Sequence, residues 1–192
     1  MNLTNRFEDA LNFVTKLHKE QNRKGTSIPY ISHLLAVASI VIEHSNSEDE
    51  VIGALLHDAV EDHPHEGKTK EDIKTLFGDK ILSLVLECSD SEVIPKPPWE
   101  KRKEKYIDHV KSISSSAQLI SLADKLHNSR TILRDYKEVG EKLWVRFTGK
   151  KDGTLWYYRT LVNTYKDINN LPNSLVSEID EIVTSLEDLS NQ

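Results

Sequence analysis

Cysteine is nearly absent: Cys88 is the single one among 192 residues. No disulfide can form within the chain, and a reducing, cytoplasmic setting is expected. Long apolar runs are missing as well. No stretch approaches the ~20 residues of a membrane helix, and the charged opening Met1–Ala10 has no apolar core. Neither a membrane span nor a secretory leader is therefore expected. Positive charge is short, with 25 Lys and Arg against 31 Asp and Glu and a net charge of −6. That balance argues against a general nucleic-acid binder, but leaves room for a small anion held by a few local cations. Glycine and proline number only seven and six. There is no convincing apolar–polar alternation, internal repeat or low-complexity tract. No glycine-rich phosphate loop, Gly-x-Ser-x-Gly elbow or nucleophilic cysteine context is present either.

What is present is helical spacing. Phe7, Ala10, Leu11, Val14 and Leu17 share one face of a helix over 5–19. A second helix over 33–43 carries Leu34, Val37, Ala38, Val41 and Ile42. Ser47 and Glu50 have the spacing of a capping box opening a helix over 48–61. Thr69-Lys-Glu-Asp reads as another start, with Gly78 as its stop, followed by a helix over 79–89. Beyond the Pro95, Pro97, Pro98 cluster, helices are expected from Trp99 to about Ile113 and from the Ser114–Ser116 cap to about Asp135. Two more, over 153–169 and 173–189, close the chain. The expected fold is one all-α domain spanning 1–192, of eight to ten helices, with mobile loops at 91–98 and 147–153.

The expensive residues cluster at His57-Asp58-Ala59-Val60-Glu61-Asp62. On one helix His57 lies over Glu61 and Asp58 over Asp62. Three carboxylates at a helix C-terminus oppose the helix dipole and repel one another, and a divalent cation would compensate them. The plainer reading is a solvated acidic helix end. Asp124, on the apolar stretch Leu122–Asn128, would be costly to bury without a partner, although Lys125 could pair with it at the surface. His33, at a helix start, is a third candidate, or simply a cap. His33, His57, Asp58 and Asp124 together would form a mixed imidazole–carboxylate set without thiolate. Such a set suits Mn, Fe, Co or an open catalytic Zn site better than a structural zinc. His63 and His65 flank Pro64 and read as exposed loop residues, while His18, His44 and His109 show no partner pattern.

Several motifs in this order carry a resemblance. They are Arg23-Lys24-Gly25, Pro29-Tyr30-Ile31-Ser32-His33, His57-Asp58-x-x-Glu61-Asp62 and Leu122-Ala123-Asp124-Lys125-Leu126-His127-Asn128. The ligand order is similar to that of HD phosphohydrolases. The flanking Arg-Lys and Glu-Asp pairs resemble the hydrolase domain of RelA/SpoT homologues, over about residues 5–135. With no synthetase domain, the chain looks like a stand-alone small alarmone hydrolase, similar to the metazoan SpoT homologue.

The resemblance implies removal of the 3′-pyrophosphate from guanosine tetra- or pentaphosphate, (p)ppGpp, with Mn²⁺ as the metal. It implies His33, His57, Asp58 and Asp124 as metal ligands and Glu61 and Asp62 as the acids that manage the attacking water. Arg23 and Lys24 are implied at the base wall, Asn128 at the sugar or its phosphate, Lys96 at a phosphate and Tyr157 at the far wall. Two other readings stand beside it. One is hydrolysis of a related nucleotide, an adenosine alarmone or the 2′-phosphate of NADPH. The other is a non-catalytic nucleotide sensor, against which the complete ligand and acid set speaks. A homo-oligomer through the aromatic tail helix is left open.

Overall fold

The computed structural model describes residues 1–63, 68–90, 95 and 97–191, and the regular structure among these is helical apart from an isolated bridge between Asn22 and Pro29. The all-α expectation holds. The helices are α1 (Asn5–Leu17), α2 (Ile31–His44), α3 (Glu48–Leu56), α4 (Ala59–Asp62), α5 (Lys68–Phe77), α6 (Asp79–Cys88), α7 (Trp99–Val110), α8 (Ser115–Val139), α9 (Lys150–Lys166) and α10 (Asn173–Ser190). A 3-10 helix, Gly140–Arg146, follows α8. None of the described helices is long and apolar enough to cross a membrane. The chain divides into two compact units, Met1–Lys96 with Ile113–Ala123, and Pro97–Ser112 with Asp124–Gln192.

In the first unit α3 is the central helix. Its residues Val51 to Leu56 are all buried, since α1, α2 and α6 pack around it. Each of the larger side chains stabilises the unit by roughly 1.5–3 kcal/mol. Gly53 permits the close approach: a Cβ there would stand 3.1 Å from Ile120 Cδ1 and 3.3 Å from Leu84 Cδ1. The helix entry is fixed from outside, with Arg6 of α1 bridged to Asp49 at 2.9 Å. A helix buried on every side has a buried C-terminus, and that is where His57 and Asp58 stand. Cys88 is also buried and unbridged.

Several local expectations are corrected. Ser47 makes no side-chain cap. Glu50 instead reaches Ser45 and Ser116, so a tertiary contact takes the side chain that the capping box would use. The helix expected over 48–61 is interrupted at His57–Asp58, where Asp58 ψ opens to −5°. The Thr69 start lies inside α5, and the Thr69 hydroxyl donates to the His63 carbonyl instead of capping its own helix. Gly78 does stop α5, at φ +89°, a left-handed conformation that suits glycine. The Ser114 hydroxyl caps α8 by accepting from Ala117 N at 3.2 Å.

In the second unit α9 packs against α7, α10 and the 3-10 helix. Of the loop expected over 147–153, residues 147–149 are a turn, and from Lys150 the chain is already in α9. A Cβ on Gly149 would lie 2.6 Å from the Trp99 ring, so the indole sits directly on the backbone there. Trp99 also meets Trp156 and Tyr157 edge-on, at 6.4 and 6.2 Å between ring centres.

Candidate metal centre

His33 enters the first unit from α2, whose apolar face carries the imidazole inward to 1% exposure. His57 and Asp58 enter from the break after α3. The break gives His57 a partner: its Nδ1 lies 2.8 Å from the Ala54 carbonyl. A carbonyl only accepts, so Nδ1 carries the proton and Nε2 presents its lone pair. That Nε2 lies 3.1 Å from Asp58 Oδ2, and His33 Nε2 lies 3.5 Å from the same oxygen. One donor atom from each of the three residues falls within 4.8 Å of the others. Ligands about 2.1 Å from one ion are separated by about 3.0–4.2 Å across ordinary coordination angles, and the two His-to-Asp58 sides, 3.1 and 3.5 Å, fall in that range. The Tyr30 hydroxyl donates to Asp58 Oδ2 at 2.6 Å and orients the carboxylate from behind.

The two acids of α4 are held differently. Glu61 Oε2 accepts from the backbone N–H of Asp90 at 3.0 Å. Asp62 Oδ2 accepts from the Gln21 amide at 2.8 Å. The helix break changes their basis: Asp62 still follows Asp58 by a backbone bond, Asp62 N to Asp58 O at 3.0 Å.

Arg23 and Lys24 lie in the loop between α1 and α2. Arg23 N donates to Ile28 O and Tyr30 N to Gln21 O, which folds the loop back on itself. The Arg23 guanidinium stands 5.6 Å from the centre of the Tyr30 ring, while Lys24 is exposed.

Asp124 and Asn128 lie on α8 within the second unit. Asp124 is buried, as the sequence cost argument requires, and its carboxylate is engaged by Lys125 and by the Asn128 amide. The pairing with Lys125 is real, but it is buried and not at the surface. Burial opposes the Lys125 charge, yet the Asp124 carboxylate holds its pKa well above the ordinary lysine value. Tyr157 is buried on α9 with Lys103 Nζ 4.9 Å from its ring centre, and burial pushes its phenol well above the usual tyrosine range. Lys96 and His65 lie outside the described residues.

Sequence reasoning missed three residues behind the triangle. His18 is 3% exposed, stacked on Tyr30 at 5.2 Å, and burial lowers its pKa. His63 is half-buried and meets His18 edge-on at 4.6 Å, so it is no exposed loop residue. Gln21 joins both imidazoles to Asp62. The available signal was the spacing of His18 and Gln21 just ahead of the Arg23-Lys24 pair.

A family model for the HD domain matches residues 10–155. The chain belongs to the HD-domain family. A guanosine-3′,5′-bis(diphosphate) 3′-pyrophosphohydrolase, MESH1 of Xenopus tropicalis, is 37% identical over 139 residues, which are 71% of this chain and 72% of that protein. The Homo sapiens MESH1 is 35% identical over 129 residues, 66% of this chain and 69% of its own length. Among solved structures, that of a metazoan SpoT orthologue described as hydrolysing ppGpp superposes with a TM-score of 0.76 at 28% identity. It covers 95% of this chain and 96% of that one. The helical HD fold and the RelA/SpoT-type resemblance read from the motifs are thereby upheld.

Proposed function

We propose that this chain is a metal-dependent hydrolase that removes the 3′-pyrophosphate of guanosine tetra- and pentaphosphate, yielding GDP or GTP and pyrophosphate. The observation that carries the reading is the His33–His57–Asp58 donor triangle, found in a chain whose relatives bear that activity in their names. His33, His57 and Asp58 hold the ion. Asp124 is assigned as the fourth ligand on its place in the Leu122–Asn128 motif. Mn²⁺ is taken as the ion on the resemblance, within a mixed imidazole–carboxylate set that also accepts Fe, Co or Zn.

A bound divalent cation supplies water acidic enough to ionise near neutrality and offsets phosphate charge. The chain supplies the rest. Glu61 and Asp62, one turn past the ligand pair, accept the proton of the attacking water and align it with the phosphorus–oxygen bond to be broken. Arg23 can stack its planar guanidinium on a purine and donate hydrogen bonds in the same plane. Lys24 adds charge beside it. Asn128 faces the sugar or its phosphate, Lys96 a phosphate, and Tyr157 closes the far wall. The domain acts as one hydrolase over residues 1–192.

The test is pyrophosphate release from guanosine tetraphosphate by the purified chain with Mn²⁺. The panel also includes an adenosine alarmone and NADPH. Release of pyrophosphate with GDP as co-product is expected, lost in His57→Ala. Turnover of the adenosine compound or NADPH alone moves the assignment to that substrate. Tight nucleotide binding without turnover in any divalent metal makes the chain a sensor.

A further inference from the structure

Gln21 has its main chain fixed on both sides, with its N–H on the His18 carbonyl at 3.0 Å and its own carbonyl accepting from Tyr30 N at 2.9 Å. Its side chain therefore starts from a fixed point. The amide oxygen lies 2.6 Å from His18 Nδ1 and 3.1 Å from His63 Nε2. The amide nitrogen lies 2.8 Å from Asp62 Oδ2. A primary amide has one accepting end and one donating end, and a carboxylate only accepts. The donating end therefore faces Asp62, and the oxygen is the shared acceptor for the two ring nitrogens, which also stand 3.3 Å from each other.

The rings are themselves locked. His18 is 3% exposed and stacked on Tyr30, and its Nε2 has no hydrogen-bond partner among the described residues, which leaves Nδ1 as the protonated nitrogen. Thr69 holds the His63 carbonyl.

We propose that Gln21 is a positioning residue for Asp62, with its amide polarity set by the His18 and His63 rings. The inference rests on the proposed function only in taking Asp62 as a reacting acid. The N–H bond fixes the plane of the Asp62 carboxylate before substrate arrives, which is the kind of support a reacting group needs to avoid losing rate to small misplacements. Because Tyr30 stacks on His18 and also donates to Asp58, one block of side chains stands behind both the metal ligand and the acid.

Two measurements test it. In the wild-type chain at neutral pH, long-range ¹H–¹⁵N spectra should place a proton on His18 Nδ1 and on His63 Nε2. A proton absent from either position overturns the proposal, and this readout needs no substrate. With the nucleotide that the wild type hydrolyses, Gln21→Leu and Gln21→Glu should lower kcat about 10–100-fold. KM should stay within about twofold, and Mn²⁺ affinity and the number of Mn²⁺ sites per chain should be unchanged; the full stoichiometry excludes a loss of folded protein as the cause. Wild-type kcat in Gln21→Leu, or a loss confined to KM, overturns the positioning role. If the wild type hydrolyses none of the nucleotides, the functional reading falls while the tautomer test still decides the amide arrangement.

Discussion

The carboxylates of the two units are satisfied in opposite ways. In the first unit, Asp58 Oδ2 is met by a phenol at 2.6 Å and by two imidazole nitrogens at 3.1 and 3.5 Å. In the second, Asp180 meets the Arg159 guanidinium at 2.6 Å and Lys166 at 2.7 Å, and Glu187 meets the same arginine. Asp135 pairs with Arg134 and Arg146. Permanent cations finish the job around α9 and α10, so those acids are structural. Around Asp58 a phenol donates and the ring nitrogens of His33 and His57 crowd onto the same oxygen, which is the arrangement that an incoming cation completes. The contrast is of place and not of unit, since Asp49 of the first unit is paired with Arg6 and Lys80 in the ordinary way.

Asp58→Asn and Asp180→Asn break this comparison most sharply. Asp58→Asn should weaken Mn²⁺ binding by on the order of 10²-fold or more, read by calorimetry, and remove hydrolysis. The outer-shell range of 10–100-fold sets the lower bound for losing a direct ligand. The metal-free protein should melt at or above the wild-type temperature, because one of the like carboxylates gathered at this helix end has gone. Asp180→Asn should leave metal binding and kcat unchanged and lower stability by up to about 1 kcal/mol. If Asp58→Asn destabilised the metal-free chain as Asp180→Asn does, Asp58 would be an ordinary ion-pair residue and the two sites would not differ in kind.

Tyr30→Phe sharpens the same point at smaller scale. It removes one hydroxyl that donates to Asp58 and leaves the ring stacked on His18. Mn²⁺ affinity should fall about tenfold, at the low end for an outer-shell partner, with little change in melting temperature. An unchanged affinity would mean that the Tyr30 hydroxyl does not orient the carboxylate for the ion.

What the sequence disclosed follows the same divide between local and distant contacts. His57 and Asp58 are neighbours, so their juxtaposition needed no tertiary knowledge, and the acidic helix end advertised itself by its cost. The helices were legible from apolar spacing, down to the Gly78 stop. The capping boxes were not, because Glu50 and Thr69 each spend their side chains on residues elsewhere in the chain. The helix break at Asp58 was hidden for a related reason: the His57 ring takes the Ala54 carbonyl, an exchange that apolar periodicity does not record. His18, Gln21 and His63 were missed because 41 to 45 residues separate the partners that give them meaning.

The smallest effect lies in acid. Asp180 has its pKa held below the ordinary 3.8, first by the hydrogen bond from Lys166 and then by Arg159, against the opposing pull of burial. Asp49 is lowered in the same way, first by Lys80 and then by Arg6. A carboxylate whose folded pKa is depressed adds stability above its unfolded value and loses it as pH falls through the folded one. Asp180→Asn and Asp49→Asn should each therefore be less stable than wild type at neutral pH. The difference should shrink as the pH drops below 3.8. Urea midpoints across that range measure the convergence. Because both pairs are partly solvated, added salt should narrow the neutral-pH gap as well, to a fraction of the roughly 1 kcal/mol limit. A gap that persisted undiminished into acid would mean that the asparagine lost packing and not charge, and the ion-pair account of the paired acids would have to yield to a steric one.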